Sequence, residues 1–177
     1  MPVSDETLIR DISAKVRNIP DFPKPGILFK DITPVLQDPA LFGRLLDWMA
    51  ADWGPVDAVV AVESRGFLFG APLVERLGAG LALARKAGKL PWETVAVDYA
   101  LEYGTARLEM HADSIRPGQK VLLVDDLLAT GGTAAAAVDL VRRLGGEVVG
   151  LCFVIELAFL EPRSRFDVPV RSLLQVP

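Results

Sequence analysis

The sequence holds one cysteine, one histidine and two tyrosines in 177 residues. A single thiol, Cys152, excludes an intramolecular disulfide. Its place in the apolar run Val148 to Ile155 predicts a buried thiol in a reducing compartment. With His111 as the sole histidine, no His/Cys/Asp arrangement has the spacing of a structural metal site. Positive charge is also scarce: the net charge is −4 and the isoelectric point about 5.0. The broad basic footprint of a nucleic-acid binder is missing, so an anionic ligand must be held by local cations and backbone N–H groups. No uninterrupted apolar stretch approaches the ~20 residues that span a bilayer. The first residues, with Asp5 and Glu6, lack the basic-then-apolar profile of a signal peptide. The expectation is a soluble cytoplasmic protein with neither nucleic acid nor membrane as partner. Two nucleotide-binding loops are missing as well, since there is no Gly-Lys-Ser/Thr ending and no G-x-G-x-x-G after a strand.

What is present is apolar and alternating. Hydrophobic residues make up 51% of the chain, a weak pointer to a subunit interface. The length favours one domain over 1–177, large enough to fold without disulfide or metal. Ser4 is placed to cap a helix in which Leu8, Ile12 and Val16 recur at i+4 spacing until Pro20. Residues 20–34 read as a proline-pinned loop with a short strand. Asp38-Pro39 starts a helix that buries Leu41, Leu45 and Trp48. Strands are expected at Val56 to Val62, Gly80 to Ala84, Val95 to Leu101, Arg107 to Met110, Lys120 to Asp125 and Glu147 to Ile155. Helices are expected at Gly66 to Leu77 and Thr133 to Leu144. This alternation implies an α/β fold with a mostly parallel sheet covered on both faces.

The densest chemistry lies in Val121-Leu-Leu-Val-Asp-Asp-Leu-Leu-Ala-Thr-Gly-Gly-Thr133. A buried strand ends in Asp125 and Asp126, and Gly131-Gly132 lead into a helix. Ligands of open α/β sheets sit beyond such strand ends. Glycines and a helix N-terminus favour phosphate, and Thr130 and Thr133 add hydroxyls. Phosphate repels carboxylates, so the two Asp residues suit sugar hydroxyls, to which they only accept. A sugar phosphate satisfies both halves, although a capping Asp and a plain glycine turn would produce the same pattern.

This run resembles the phosphoribosyl pyrophosphate signature of the type I phosphoribosyltransferases. The resemblance implies that Asp125 and Asp126 hold the ribose 2- and 3-hydroxyls, and that Ala129, Thr130, Gly131, Gly132 and Thr133 cradle the 5-phosphate. Val62-Glu-Ser-Arg-Gly-Phe67 resembles the pyrophosphate loop of the family's adenine branch, which implies a phosphate contact for Arg65 and a cis peptide near Ser64. Ala84-Arg-Lys-Ala-Gly-Lys-Leu-Pro91 is similar to a second pyrophosphate-binding stretch, with Arg85, Lys86 and Lys89 as its cations and Arg85 as a group donated between subunits. Relatives carry proline at the position of Ala87, a departure that loosens the loop without removing charge. Leu101-Glu-Tyr-Gly104, within a mobile region at 85–107, resembles the family's catalytic lid. Glu102 is then the acid–base residue or a stabiliser of ribose charge, and Tyr103 contacts the pyrophosphate side.

Asp21-Phe-Pro-Lys-Pro-Gly-Ile-Leu-Phe-Lys-Asp-Ile-Thr-Pro34 resembles the adenine-binding element of that branch. Phe29 would stack on the base and the backbone of Leu28 read its edge. Lys30 stands where relatives often have arginine. The resemblance runs from Asp21 to the tail Val168-Pro-Val-Arg-Ser-Leu-Leu-Gln175. It implies transfer of phosphoribose from phosphoribosyl pyrophosphate to adenine, giving AMP and pyrophosphate, with Mg²⁺ borne by the substrate and a homodimeric assembly. The alternatives are a phosphoribosyltransferase for another base, and a regulator that keeps the pocket as a sensor. His111 is read as a surface or supporting group, and Trp48, Trp53 and Trp92 as packing residues.

Overall fold

The computed structural model describes residues 5–100 and 104–177. The chain forms two compact units, Met1–Trp48 and Met49–Pro177.

In the N-terminal unit, α1 (Asp5–Lys15) buries Leu8 and Ile12. It ends five residues before Pro20, earlier than the i+4 pattern implies. The chain beyond it is recruited by strand pairing: β1 (Arg17–Ile19) runs antiparallel to β2 (Phe29–Asp31), with Asn18 opposite Lys30. Arg17 locks this ribbon by donating to Asp31 at 2.9 and 2.6 Å and to Thr33 at 3.0 Å. Between the strands the Phe22–Pro23 peptide is cis. Gly26, at φ +86°, donates its amide to Asp21 at 2.7 Å. A short turn of helix follows, α2 (Thr33–Leu36), and then α3 (Pro39–Ala50). Asp38 accepts from the Leu41 amide at 3.1 Å, so Asp38-Pro39 opens α3 as its sequence implies.

The larger unit is built on a seven-stranded sheet. Its elements are β3 (Ala58–Val62), α4 (Gly66–Leu77), β4 (Gly80–Lys86), β5 (Thr94–Ala100), β6 (Thr105–His111), β7 (Lys120–Leu128), α5 (Gly132–Arg143), β8 (Glu147–Leu157) and β9 (Val170–Val176). The strand order is β5-β6-β4-β3-β7-β8-β9. Strands β4, β3, β7, β8 and β9 are mutually parallel, and the β5–β6 hairpin joins antiparallel at one edge. The mostly parallel α/β sheet is therefore as expected. Period-2 alternation divides the central strands. Ala58, Val60 and Val62 join Leu123 and the α5 residues Ala137, Leu140 and Val141 in one core. On the other face, Ala61 and Val124 meet Gly70 of α4 so closely that a β-carbon there would lie 2.5 Å from Ala61 Cβ.

Three further features depart from expectation, the first two for reasons of strand pairing. β9 is not evident in the sequence because it is a half-buried edge interrupted by Arg171, Ser172 and Gln175. β4 runs on to Lys86, where β6 supplies partners for Arg85 and Lys86. Trp92 is 68% exposed rather than packed, whereas Trp53 covers Gly150 and donates to the Met49 carbonyl at 2.7 Å. Among the described residues no helix is long and apolar enough to cross a membrane.

Candidate active site

The site begins with a mismatch in strand length. β3 last pairs with β7 at Ala61–Val124, whereas β7 continues against β8 through Leu128–Glu156. The expectation that the strand ends in the two carboxylates is thus corrected. They lie within β7, just past the end of β3, because β8 keeps β7 extended. Where β3 stops, one side of β7 is uncovered, and a cavity of about 490 Å³ opens between Glu63, Ser64, Arg65, Lys86, Lys89, Asp125, Asp126 and Leu127. A smaller one of about 100 Å³ continues from Asp125 along Leu127–Ala134.

Asp126 is 5% exposed and is bridged by Arg65 Nε at 2.7 Å. Asp125 Oδ1 accepts from the Asp126 amide at 2.8 Å. Burial, reinforced by the charge of Asp126, pushes the Asp125 carboxyl well above the usual carboxylate range. Burial also raises Asp126, with Arg65 pulling the other way. Space under the pair is tight. A β-carbon on Gly66, the first residue of α4, would lie 3.0 Å from both Asp125 Oδ1 and the Val124 carbonyl oxygen. Nothing local in the sequence marks this contact at Gly66, since only the fold brings β7 against it.

The loop after β7 has the form of an anion cradle. Gly131 caps α5 at φ +81°, and Ala135 makes the first helical bond by donating to its carbonyl at 2.9 Å. The amides ahead of it, from Gly132 to Ala134, have no intrahelical acceptor, and these residues line the smaller cavity. A side chain at Gly131 would meet Arg165 Cδ at 3.0 Å and the Pro162 carbonyl at 3.3 Å. That neighbouring segment is clamped by Arg163, which donates to the buried Glu156 at 2.8 and 2.7 Å.

Across the larger cavity, the cations converge on one acid that the sequence reading passed over. Glu63 accepts from Lys89 Nζ at 2.6 Å, from Arg85 Nη2 at 3.3 Å and from the Lys86 amide at 3.0 Å. Burial opposes its charge, but the bonds from Lys89 and Arg85 outweigh it and hold the carboxyl at about 2. Arg85 also donates to the Lys89 carbonyl at 3.1 Å and lies 5.9 Å from the Phe67 ring centre, so it is engaged within its own chain. The Glu63–Ser64 peptide is cis, at the place the resemblance implied. Ala87 does not leave a loose loop: its amide donates to the Arg107 carbonyl at 3.1 Å, a bond proline lacks, and Gly88 donates to Glu109 at 3.1 Å.

In the N-terminal unit Phe29 meets Phe22 edge-on at 5.1 Å, Leu28 is 52% exposed, and Lys30 donates to Asn18 at 2.7 Å. Lys30 thus already has a structural partner. Glu102 and Tyr103 lie outside the described residues.

The family model of the phosphoribosyl transferase domain matches residues 35–170. The adenine phosphoribosyltransferase of Myxococcus xanthus is 57% identical over 165 residues, covering 92% of this chain and 90% of that protein. The crystal structure of adenine phosphoribosyltransferase from Rhodothermus marinus superposes with a TM-score of 0.91 at 49% identity, covering 97% of this chain and 99% of the other. The Saccharomyces cerevisiae enzyme, solved with an imino-altritol bisphosphate and adenine, gives a TM-score of 0.89 at 40% identity over 96% of this chain and 99% of that one.

Proposed function

The chain belongs to the adenine phosphoribosyltransferases, which form AMP and pyrophosphate from adenine and phosphoribosyl pyrophosphate, and from this premise we propose how its residues divide the work. Asp125 and Asp126 accept from the ribose 2- and 3-hydroxyls. The amides of Ala129 to Thr133, with the Thr130 and Thr133 hydroxyls, hold the 5-phosphate. Arg65, Lys86 and Lys89, with Arg85 behind them, take the pyrophosphate. The observation that carries this division is the opposition of charge across one cavity: carboxylates on β7 face Arg65 on the loop after β3 and Lys86 and Lys89 at and beyond the end of β4.

The bond from ribose C1 to the pyrophosphate oxygen breaks as the purine N9 attacks, and positive charge builds on the ribose while negative charge builds on the leaving group. Cations already in place stabilise the departing charge without reorganising. Glu102 either takes the N9 proton or steadies the ribose cation, and Tyr103 packs beside the pyrophosphate. Phe29 stacks on adenine, the Leu28 backbone reads its edge, and Lys30 adds a contact once it shares or leaves Asn18.

Mg²⁺ fits as a passenger of the donor. The carboxylates here are a largely buried pair, one member already tied to Arg65, and oxygen-rich diphosphate is the better host for this cation. When bound, the ion would neutralise pyrophosphate charge, with the donor's ribose and diphosphate oxygens as its ligands. A homodimer in the cytoplasm completes the proposal. Leu68 and Leu81, 47% and 43% exposed, support a covered face, and the buried Cys152 thiol, pushed up to about 12, suits a reducing compartment.

The test offers adenine, hypoxanthine, guanine, xanthine and orotate separately, with Mg²⁺ and phosphoribosyl pyrophosphate. Adenine should be used in strong preference, and a loss of kcat in Glu102→Ala should accompany it. Preference for any other base removes the base assignment.

A further inference from the structure

We propose that Glu63 is a positioning residue for the pyrophosphate site, fixing Lys89, with Arg85 behind it, so that the remaining N–H groups of Lys89 face the leaving group. This rests on the reading of those cations as pyrophosphate ligands.

Four observations converge on it. First, three donors from the short stretch Arg85–Lys89 meet a single carboxylate, at 2.6, 3.0 and 3.3 Å. Second, the acid is deep and its partners are shallow: the Glu63 side chain is 8% exposed, those of Arg85 and Lys89 29% and 48%. The anion is therefore the drier partner at a cavity that Lys86 and Lys89 also line. Third, the acid is itself fixed. It follows the last residue of β3, and its amide donates to the Ala84 carbonyl at 2.9 Å, so it is tied to the adjacent parallel strand β4. Fourth, the arrangement organises charge without cancelling it. Arg85, Lys86 and Lys89 set against Glu63 leave two net positive charges around the acid. An ammonium has three protons and a guanidinium five, so each keeps donors after serving Glu63.

The physical gain is preorganisation. A free lysine surrenders its rotamer freedom on meeting a ligand, whereas one already held has surrendered it on folding. Glu63 touches no reacting atom in this scheme, so its effect should fall on affinity for the diphosphate end of the donor and not on adenine.

The experiment compares wild type with Glu63→Gln and Glu63→Asp, each first checked for folding by circular dichroism. Measured are kcat, KM for adenine, KM for phosphoribosyl pyrophosphate, and the inhibition constant of inorganic pyrophosphate. Glu63→Gln should raise the last two by about tenfold and leave KM for adenine within about twofold. Glu63→Asp, which keeps the charge on a shorter arm, should recover part of the loss. In a Lys89→Met background Glu63→Gln should add less than it does alone, because its route runs through Lys89. A folded Glu63→Gln with unchanged donor and pyrophosphate constants overturns the proposal. Tighter pyrophosphate binding also overturns it, since the carboxylate would then be a competitor of the ligand. Calorimetry of wild type with pyrophosphate separates the two levels: no uptake there refutes the pyrophosphate reading itself.

Discussion

Gly66→Ala separates stability from function more cleanly than any change to a charged residue. The added methyl would stand 3.0 Å from the Val124 carbonyl oxygen and 3.0 Å from Asp125 Oδ1, and 3.4 Å from Asp125 Cα, so a neighbour must give by a few tenths of an ångström. Val124 is the last β7 residue paired to β3 and is fully buried, so its carbonyl is the stiffer obstacle. The carboxylate is the softer one, and it yields. Overpacking of this kind costs about 1–3 kcal/mol, and replacing glycine by alanine returns about 0.4–1 kcal/mol through the unfolded chain. A net loss of about 1 kcal/mol should lower Tm by about 2–4 °C for a domain of this size. The functional loss should be larger, because Asp125 Oδ1 is also the acceptor of the Asp126 amide and its displacement disturbs both acids. If an ångström of misplacement is worth about a hundredfold, a few tenths should raise KM for phosphoribosyl pyrophosphate about three- to tenfold. Thermal melts and two substrate titrations, one varying the donor and one varying adenine, measure this. Unchanged Tm together with unchanged donor KM would refute the close-approach argument, and an equal rise in both KM values would refute the route through Asp125.

Asp125→Asn should stabilise the fold while removing donor binding. Because the folded carboxyl is raised, the native state holds its proton longer than the unfolded chain, so the stability this group contributes falls as pH climbs above the ordinary carboxylate range. Asparagine escapes that penalty, and its urea midpoint should exceed wild type at pH 8 by a margin that narrows in acid; an equal or lower midpoint at pH 8 contradicts the burial argument. Glu63 has the opposite sign. Its carboxyl falls from 4.5 to about 2, so its contribution is complete above pH 4.5 and is lost as pH drops through that interval. Such a shift corresponds to about 3 kcal/mol at most, discounted to about 1–2 kcal/mol because Lys89 is half exposed. The gap in urea midpoint between wild type and Glu63→Gln should therefore shrink between pH 7 and pH 3, and a constant gap would speak against it.

The sequence discloses those parts of this molecule whose signals are local. Gly66 to Leu77 reads correctly as α4 because a glycine marks each end, Gly66 and Gly78, the second in the left-handed conformation that stops a helix. The core of α5 follows from its alanine and valine spacing. Asp125, Asp126 and the Gly131-Gly132 turn are legible because strand, acids and glycines are contiguous. What escapes is non-local. The role of Glu63 depends on residues more than twenty positions away, and the close approach at Gly66 on a strand nearly sixty positions later. β7 extends beyond Asp125 only because β8 lies beside it, and β9 is a strand only because it has β8 to pair with. Each of these is decided by a neighbour in space, and no window along the chain contains both partners.

The difference in length between β3 and β7 has a consequence for how such a fold can change. The recess is a missing rung, created by backbone pairing that ends at Ala61–Val124 on one side and carries on through Leu128–Glu156 on the other. Its depth is thus written into the sheet, while the groups that line its rim come from loops that bear little of the core. Rim chemistry can be exchanged without rebuilding the framework, but one more pair of residues on the shorter strand would fill the hollow and abolish it, leaving every acid and every cation in place.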